Sequence, residues 1–187
     1  MKQTFYDAVS NNPVIAAVKD EAGVENCIQT DINVVFVLFG EIGTIADIVE
    51  RLKNAGKTVV VHLDLIGGLS VREESVRFIK KYTNADGIIS TKPEMIKYAK
   101  ELDLSTVFRI FVIDSKALLG MNSHLTEYAD FVEILPGIMP RIIHKISCGT
   151  TVPIIAGGLI SQKEDVIQAL DAGAIAISTT DQKVWKM

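Results

Sequence analysis

The fold is decided by the segment VPIIAGGLISQKEDVIQALDAGAIAISTTD, residues 152–181. It contains two short runs, residues 152–156 and 174–178, that are apolar on both faces, as strands buried in a parallel sheet are. Between them, residues 161–173 have a helical pattern, with Gly173 where a left-handed C-terminal residue is expected. Ser161 and Glu164 have the spacing of a capping box at the start of this helix. The segment therefore predicts a strand–helix–strand unit.

The same alternation runs through the rest of the sequence. Further short apolar runs lie at residues 13–18, 34–39, 58–65, 87–91, 107–113 and 131–135. They alternate with helical patterns such as residues 44–56, although residues 19–33 and 117–128 contain few helical signals. Eight strands, each but the last followed by a helix, predict an α/β fold: a compact (β/α)8 TIM-like barrel in one domain over residues 1–187. An open doubly wound sheet is the alternative.

Composition excludes several classes of protein. An apolar share of 48% and a charged share of 22% are those of a globular protein rather than a disordered or fibrous one. A formal net charge of −4 argues against a broad electrostatic grip on nucleic acid. The longest apolar run, residues 34–39, is far shorter than the about 18 residues of a membrane helix, so we expect no membrane partner.

The cysteines and the first residues indicate the compartment. Cys27 and Cys148 match no metal or redox spacing, and we expect both to be buried thiols of a reducing cytoplasm. The opening segment, MKQTFYDAVSNNP, has no apolar core of the kind that a signal peptide contains. We therefore expect a cytoplasmic protein.

The last two predicted strands indicate a phosphate site. In both candidate architectures, ligands bind at the carboxyl ends of the strands. Gly157 and Gly158 let backbone N–H groups come close to a ligand, and Ser178 and Thr179 add hydroxyls and further N–H groups. The loops after strands seven and eight are the usual phosphate pocket of such barrels. We predict phosphate binding by these four residues; the alternative is that the glycines only form a tight turn.

Charged and polar side chains on other strands are candidates for further ligand contacts. Strand alternation places His62 and Asp64 on one side of the third strand, near its carboxyl end. Arg109 and Glu133 interrupt the apolar fifth and sixth strands, and since buried charges need partners we expect them to meet inside the barrel. Lys92, at the end of the fourth strand, is a further candidate for an anion. The alternatives are a core histidine, a helix-capping aspartate, a structural ion pair and a solvated lysine.

The sequence contains no recognisable catalytic constellation. The patterns G-x-S-x-G, H-E-x-x-H and Walker A are all missing. We therefore predict no catalytic residue, no metal and no cofactor. The alternative is an enzyme, a transferase or isomerase, acting on a small phosphorylated polyol with Asp64 or Glu133 as the general base.

Several motifs occur together in a characteristic order. They are HLDLIGGL (62–69), GIISTK (87–92), RIFVIDS (109–115), EILPG (133–137), AGGLI (156–160) and AISTT (176–180). Together they resemble the glycerol uptake operon antiterminator regulatory proteins. The resemblance implies a TIM-like barrel in a cytoplasmic regulator that senses glycerol 3-phosphate. It also implies transcription antitermination through binding to the leader mRNA of glycerol-utilisation genes. The oligomeric state stays open, a homo-oligomer included.

One stretch of the sequence has a local basic bias. Residues 134–163 contain Arg141, Lys145 and Lys163 but no acidic residue. Arg141 and Lys145 are four residues apart and share one face of a predicted helix, which fits either an RNA contact or an ordinary solvated face. We expect His124 and His144 on the surface.

Overall fold

A computed structural model describes residues 3–115, residue 117 and residues 127–187. The strands are β1 (Val14–Val18), β2 (Val34–Val37), β3 (Thr58–His62), β4 (Gly87–Ser90), β5 (Ser105–Phe111), β6 (Phe131–Leu135), β7 (Ile154–Gly157) and β8 (Ala176–Thr179). Each strand pairs in parallel with the next, and β8 pairs with β1 to close the barrel. The predicted TIM-like barrel is confirmed, and the open sheet is excluded.

Helices surround the barrel. The described ones are α1 (Gln3–Asn11), α2 (Glu21–Ile28), α3 (Ile45–Asn54), α4 (Glu73–Tyr82), α5 (Pro93–Glu101), α6 (Pro140–Ser147) and α7 (Lys163–Asp171). Helix α2 lies in an interval with few helical signals; it begins where the Asp20 carboxylate accepts a 2.7 Å hydrogen bond from the Gly23 N–H. Residues 118–126 of the other weak interval lie outside the described residues, and so does His124. In the described part, no helix is long and apolar enough to cross a membrane.

Helix α1 precedes the barrel and covers its amino end. Phe5 and Val9, one turn apart on this helix, are both buried against the barrel interior. The Phe5 ring meets Phe131, at the start of β6, edge to face with 4.6 Å between ring centroids. The carboxyl end of the barrel is the opposite end, and the site described below lies there.

The strands are buried on both faces, which explains why their sequences are apolar runs rather than alternating patterns. Side chains such as Phe36 and Val107 fill the barrel interior. Their neighbours, such as Val35 and Val59, pack outward in the layer between the barrel and the helices.

Three details differ from the prediction. Strand β3 ends at His62, and the chain continues as a short 3-10 helix, Leu63–Leu65, where the sequence predicted strand. The capping box of α7 lies one residue later than predicted, because Gln162 and Asp165 form it. Cys27 is buried, but the prediction that Cys148 is buried is wrong: it follows α6 and is exposed. His144 is exposed as expected.

Candidate functional site

A cavity of 540 Å³ opens at the carboxyl end of the barrel, on the side of β5 to β8. Its lining consists of Ala17, Leu38, Arg109, Glu133, Leu135, Gly158, Leu159, Ile160, Ser161, Ser178, Thr179, Thr180 and Asp181. Five of the nine predicted site residues are among them: Gly158, Ser178, Thr179, Arg109 and Glu133. The cavity therefore joins most of the predicted phosphate site to the predicted charged pair.

A buried hydrogen-bond network forms the floor of the cavity. Arg109 and Glu133 are register partners on β5 and β6, and the Arg109 Nε donates to Glu133 Oε2 at 2.5 Å. The Ser178 hydroxyl donates to the other oxygen, Oε1, also at 2.5 Å. Glu133 is fully buried, so its charge depends on both partners. The expected meeting of Arg109 and Glu133 is confirmed, while a direct role in ligand binding stays a prediction.

Gly157 makes room for this network. A Cβ atom at this position would lie 2.6 Å from Glu133 Oε1 and 2.7 Å from Ser178 Oγ, closer than real Cβ contacts come. Gly157 is not part of the cavity lining. The structure thus gives this glycine a packing role beneath the site. Its predicted contact with phosphate stays a prediction, because Gly157 does not line the cavity.

Arg109 presents its charge to the cavity. The side chain is only 8% exposed, yet it is part of the lining. Its Nε is bonded to Glu133, and among the described residues neither Nη group has a hydrogen-bond partner. A guanidinium fork is well shaped to bind two oxygens of a phosphate or carboxylate. The floor of the cavity therefore offers a pre-positioned cation to an anionic ligand.

The loop between β7 and α7 forms one wall. Gly158 and Leu159 both have left-handed backbone conformations, with φ of 76° and 63°. The Gly158 carbonyl accepts a 3.0 Å hydrogen bond from the Gly137 N–H, which attaches this loop to the loop after β6. This wall therefore combines the left-handed backbone at Gly158 with two apolar side chains, the exposed Leu159 and the buried Ile160.

The loop after β8 forms the facing wall and is tied to the first. The Thr179 hydroxyl donates to the Ile160 carbonyl at 2.7 Å and accepts from the Asp181 N–H at 3.0 Å. Its hydroxyl thus holds the two loops together. The Ser178 hydroxyl is likewise engaged with Glu133. At these two positions, hydroxyl donation to a phosphate, which the sequence analysis predicted, competes with bonds already made inside the protein.

His62 and Asp64 lie at the end of β3 and outside the cavity lining. Burial, together with the nearby charge of Arg109, lowers the pKa of His62 from 6.5 to about 4, although Asp64 opposes this. The buried His62 Nδ1 has no hydrogen-bond partner among the described residues. His62 is therefore a neutral histidine at pH 7, and its contact with a ligand stays a prediction.

Asp64 and Lys92 both form hydrogen bonds at the end of the neighbouring strand, β4. Asp64 accepts from the Ser90 hydroxyl at 2.6 Å and from the N–H and hydroxyl of Thr91, both at 2.8 Å. Burial raises the pKa of Asp64, but these hydrogen bonds outweigh that effect and hold it below its ordinary value. Lys92 is exposed, and its N–H donates to Ser90 Oγ at 3.1 Å. The structure does not bring these two side chains into the cavity.

Sequence reasoning missed several lining residues. Thr180 and Asp181 directly follow the predicted phosphate residues, so the run STTD contained a signal for them. Leu38 and Leu159 carry no such signal, because apolar residues at strand ends are ordinary core candidates. Within the described residues, no group of His, Cys, Asp and Glu side chains is arranged to hold a metal ion.

Comparison with known proteins identifies the family. The family model described as "Glycerol-3-phosphate responsive antiterminator" matches residues 14–185. The chain belongs to the glycerol-3-phosphate responsive antiterminator family. This confirms the resemblance drawn from the ordered motifs. The match contains every residue of the cavity lining, from Ala17 to Asp181.

Relatives of this antiterminator-family protein cover nearly its whole length. The uncharacterized protein YgcP of Escherichia coli (strain K12) is 41% identical over 177 residues, which are 94% of this chain and 93% of that protein. The crystal structure of the glycerol uptake operon antiterminator regulatory protein from Listeria monocytogenes str. 4b F2365 has a TM-score of 0.90 and 31% identity, covering 94% of this chain and 96% of that one. A glycerol uptake operon antiterminator-related protein from Thermotoga maritima MSB8 has a TM-score of 0.82 and 35% identity, covering 93% and 98%.

Proposed function

We propose that the cavity binds glycerol 3-phosphate and that this binding controls transcription antitermination. The observation that carries the proposal is Arg109, a buried cation that lines a cavity in a member of a glycerol-3-phosphate responsive family and whose Nη groups have no hydrogen-bond partner among the described residues. An anion is the natural partner of such a group, because a buried guanidinium gains most from a charged acceptor.

The two loops flanking the cavity are the proposed phosphate site. Backbone N–H groups at Gly158 and Thr180, on the facing walls, would approach the phosphate from two sides, with Arg109 supplying the charge. The N-terminus of α7 contributes less, since Asp165 already accepts from the N–H groups of Ser161 and Gln162, each at 3.0 Å. The glycerol hydroxyls then lie toward Glu133, whose oxygens have further acceptor capacity.

A charge placed in the cavity tests the phosphate site. Thr180 is exposed and lines the cavity, so Thr180→Glu introduces a carboxylate without disturbing the core. Repulsion of a phosphate dianion at about 5 Å in a partly screened site is expected to weaken binding at least about a hundredfold. Thr180→Gln is the matched neutral control and should bind like the natural protein. Isothermal titration with glycerol 3-phosphate measures both, and equal affinity of the two variants would refute the site.

We also propose that the regulator acts in the cytoplasm on leader mRNA and does not turn over its ligand. Helix α6 supports an RNA contact, because Arg141 and Lys145 are exposed on it and no acidic residue lies between positions 134 and 163. Helix α4 is a suitable comparison, since its Lys80 and Lys81 are balanced by acidic residues in its first turn.

Gel-shift titration with the leader of a glycerol-utilisation gene tests the RNA contact. The double variant Arg141→Glu with Lys145→Glu should lose RNA affinity, whereas Lys80→Glu with Lys81→Glu should retain it. If glycerol 3-phosphate changes RNA affinity by some factor, RNA must change the affinity for glycerol 3-phosphate by the same factor. An RNA affinity that does not change with glycerol 3-phosphate would contradict regulation by this ligand. Conversion of the ligand to a product, followed by phosphorus NMR, would contradict a non-catalytic role.

A further inference from the structure

Large apolar side chains are exposed at the carboxyl end of the barrel, the end at which the cavity opens. The exposed fraction is 52% for Phe111, 84% for Ile113, 45% for Ile138 and 70% for Leu159. These four residues, the apolar collar, lie at the carboxyl end of β5 or in the loops after β5, β6 and β7. Several large apolar residues exposed at the end of the barrel where a cavity opens are typical of a binding surface rather than of ordinary protein surface.

The apolar collar is continuous with the cavity. Phe111 is two residues beyond Arg109 on β5, so both side chains project from the same face of the strand. The register partner of Phe111 is Leu135, which lines the cavity. Leu159 belongs to the collar and to the lining at once.

Leu159 is unusual both in its backbone conformation and in its exposure to solvent. Its φ of 63° lies in the left-handed region, where glycine or asparagine is favoured over a branched apolar residue. Its side chain is also largely in water, where it gains little from burial in the free protein. An apolar side chain at such a position is a candidate for contact with an apolar part of a ligand.

We propose that the cavity takes a glycerol phosphate carrying an apolar tail, with the phosphate and glycerol beside Arg109 and the tail on the apolar collar. The inference rests on the proposed function and extends its ligand class. A cavity of 540 Å³ falls in the range that holds drug-sized ligands, which is more space than a three-carbon phosphate ester needs. Its apolar lining, Leu38, Leu135 and Ile160 among it, offers no hydrogen bond to a polyol but suits a hydrocarbon.

A series of ligands with growing tails tests the inference. Isothermal titration compares glycerol 3-phosphate with its 1-butyryl, 1-hexanoyl and 1-octanoyl esters, all below their micelle-forming concentrations. Full burial of a methylene strengthens binding about fourfold, and a collar that covers one side of the tail should give about twofold. The octanoyl ester should therefore bind about fourfold more tightly than the hexanoyl ester. An affinity that does not rise with tail length would overturn the inference.

A collar variant separates this inference from the proposed function. Ile113→Gln removes the most exposed side chain of the apolar collar at a position outside the cavity lining, so it should reduce the dependence on tail length while keeping affinity for glycerol 3-phosphate. Ile167→Gln, at an exposed position on α7, is the matched control and should keep the dependence. If glycerol 3-phosphate binds but the tail has no effect, only the inference fails; if no phosphate ester binds, both fail. A tail dependence unchanged in Ile113→Gln, or a collar variant that alters only the oligomeric state, also overturns it.

Discussion

Replacing Gly157 by alanine should disrupt the floor of the cavity. The added methyl group would lie 2.6 Å from Glu133 Oε1 and 2.7 Å from Ser178 Oγ. Neither atom can retreat easily, because Glu133 is fully buried and bonded to Arg109 while Ser178 sits at 3% exposure on β8. The bond between Ser178 and Glu133 must therefore lengthen or break.

The size of the effect follows from two contributions. Forcing a methyl group into a well-packed site costs about 1–3 kcal/mol. Loss of a hydrogen bond to a charged, buried acceptor adds about 1.5–3 kcal/mol. Since the two contributions share one site and overlap, we expect Gly157→Ala to lower the free energy of unfolding by about 3 kcal/mol.

Urea unfolding followed by circular dichroism measures this change. Gly43→Ala is the matched control, because a Cβ atom at Gly43 would meet nothing within 4 Å. It should alter the free energy of unfolding by less than about 1 kcal/mol. Equal stability of Gly157→Ala and Gly43→Ala would refute the packing role assigned to Gly157.

Three further predictions concern stability. The pKa of His62 is lowered from 6.5 to about 4, so the unfolded chain binds more protons than the folded protein between these pH values. The free energy of unfolding, measured by urea titration, should therefore fall by about 3 kcal/mol as the pH drops from 6.5 to 4. His62→Gln should remove this pH dependence. Arg109→Met leaves the Glu133 charge buried without its cation and should cost about 3–5 kcal/mol in urea unfolding, so a loss below about 1 kcal/mol would contradict the paired network. Phe5→Ala should cost about 3–5 kcal/mol and lower the melting temperature by calorimetry, whereas an unchanged melting temperature would show that α1 is not required to cover the barrel.

Strands were the most predictable part of the fold. Each is buried on both faces, so its sequence is a short apolar run that differs from the longer helical patterns around it. Helix α1 was not predicted, although Phe5 and Val9 have helical spacing, because two apolar residues in a polar segment do not show what they pack against. The end of β3 was predicted too late, since the apolar run continues through the 3-10 helix at Leu63–Leu65.

The charged pair of the site was predictable, and its surroundings were not. Arg109 and Glu133 stand in apolar strands, and burial forces such charges to find each other. The left-handed backbone at Leu159 and the use of the Thr179 hydroxyl between two loops depend on tertiary contacts that leave no mark in the local sequence. His62 and Asp64 were placed beside the ligand by strand alternation, which no longer applies to Asp64 because the strand ends at His62.

A crystal structure of the protein soaked with glycerol 3-phosphate tests the central claim most directly. The account predicts phosphate density between the loop at Gly158 and the loop at Thr180, with a ligand oxygen within hydrogen-bond distance of an Arg109 Nη atom. Ligand bound elsewhere, with the Arg109 guanidinium untouched and the cavity empty, would contradict it.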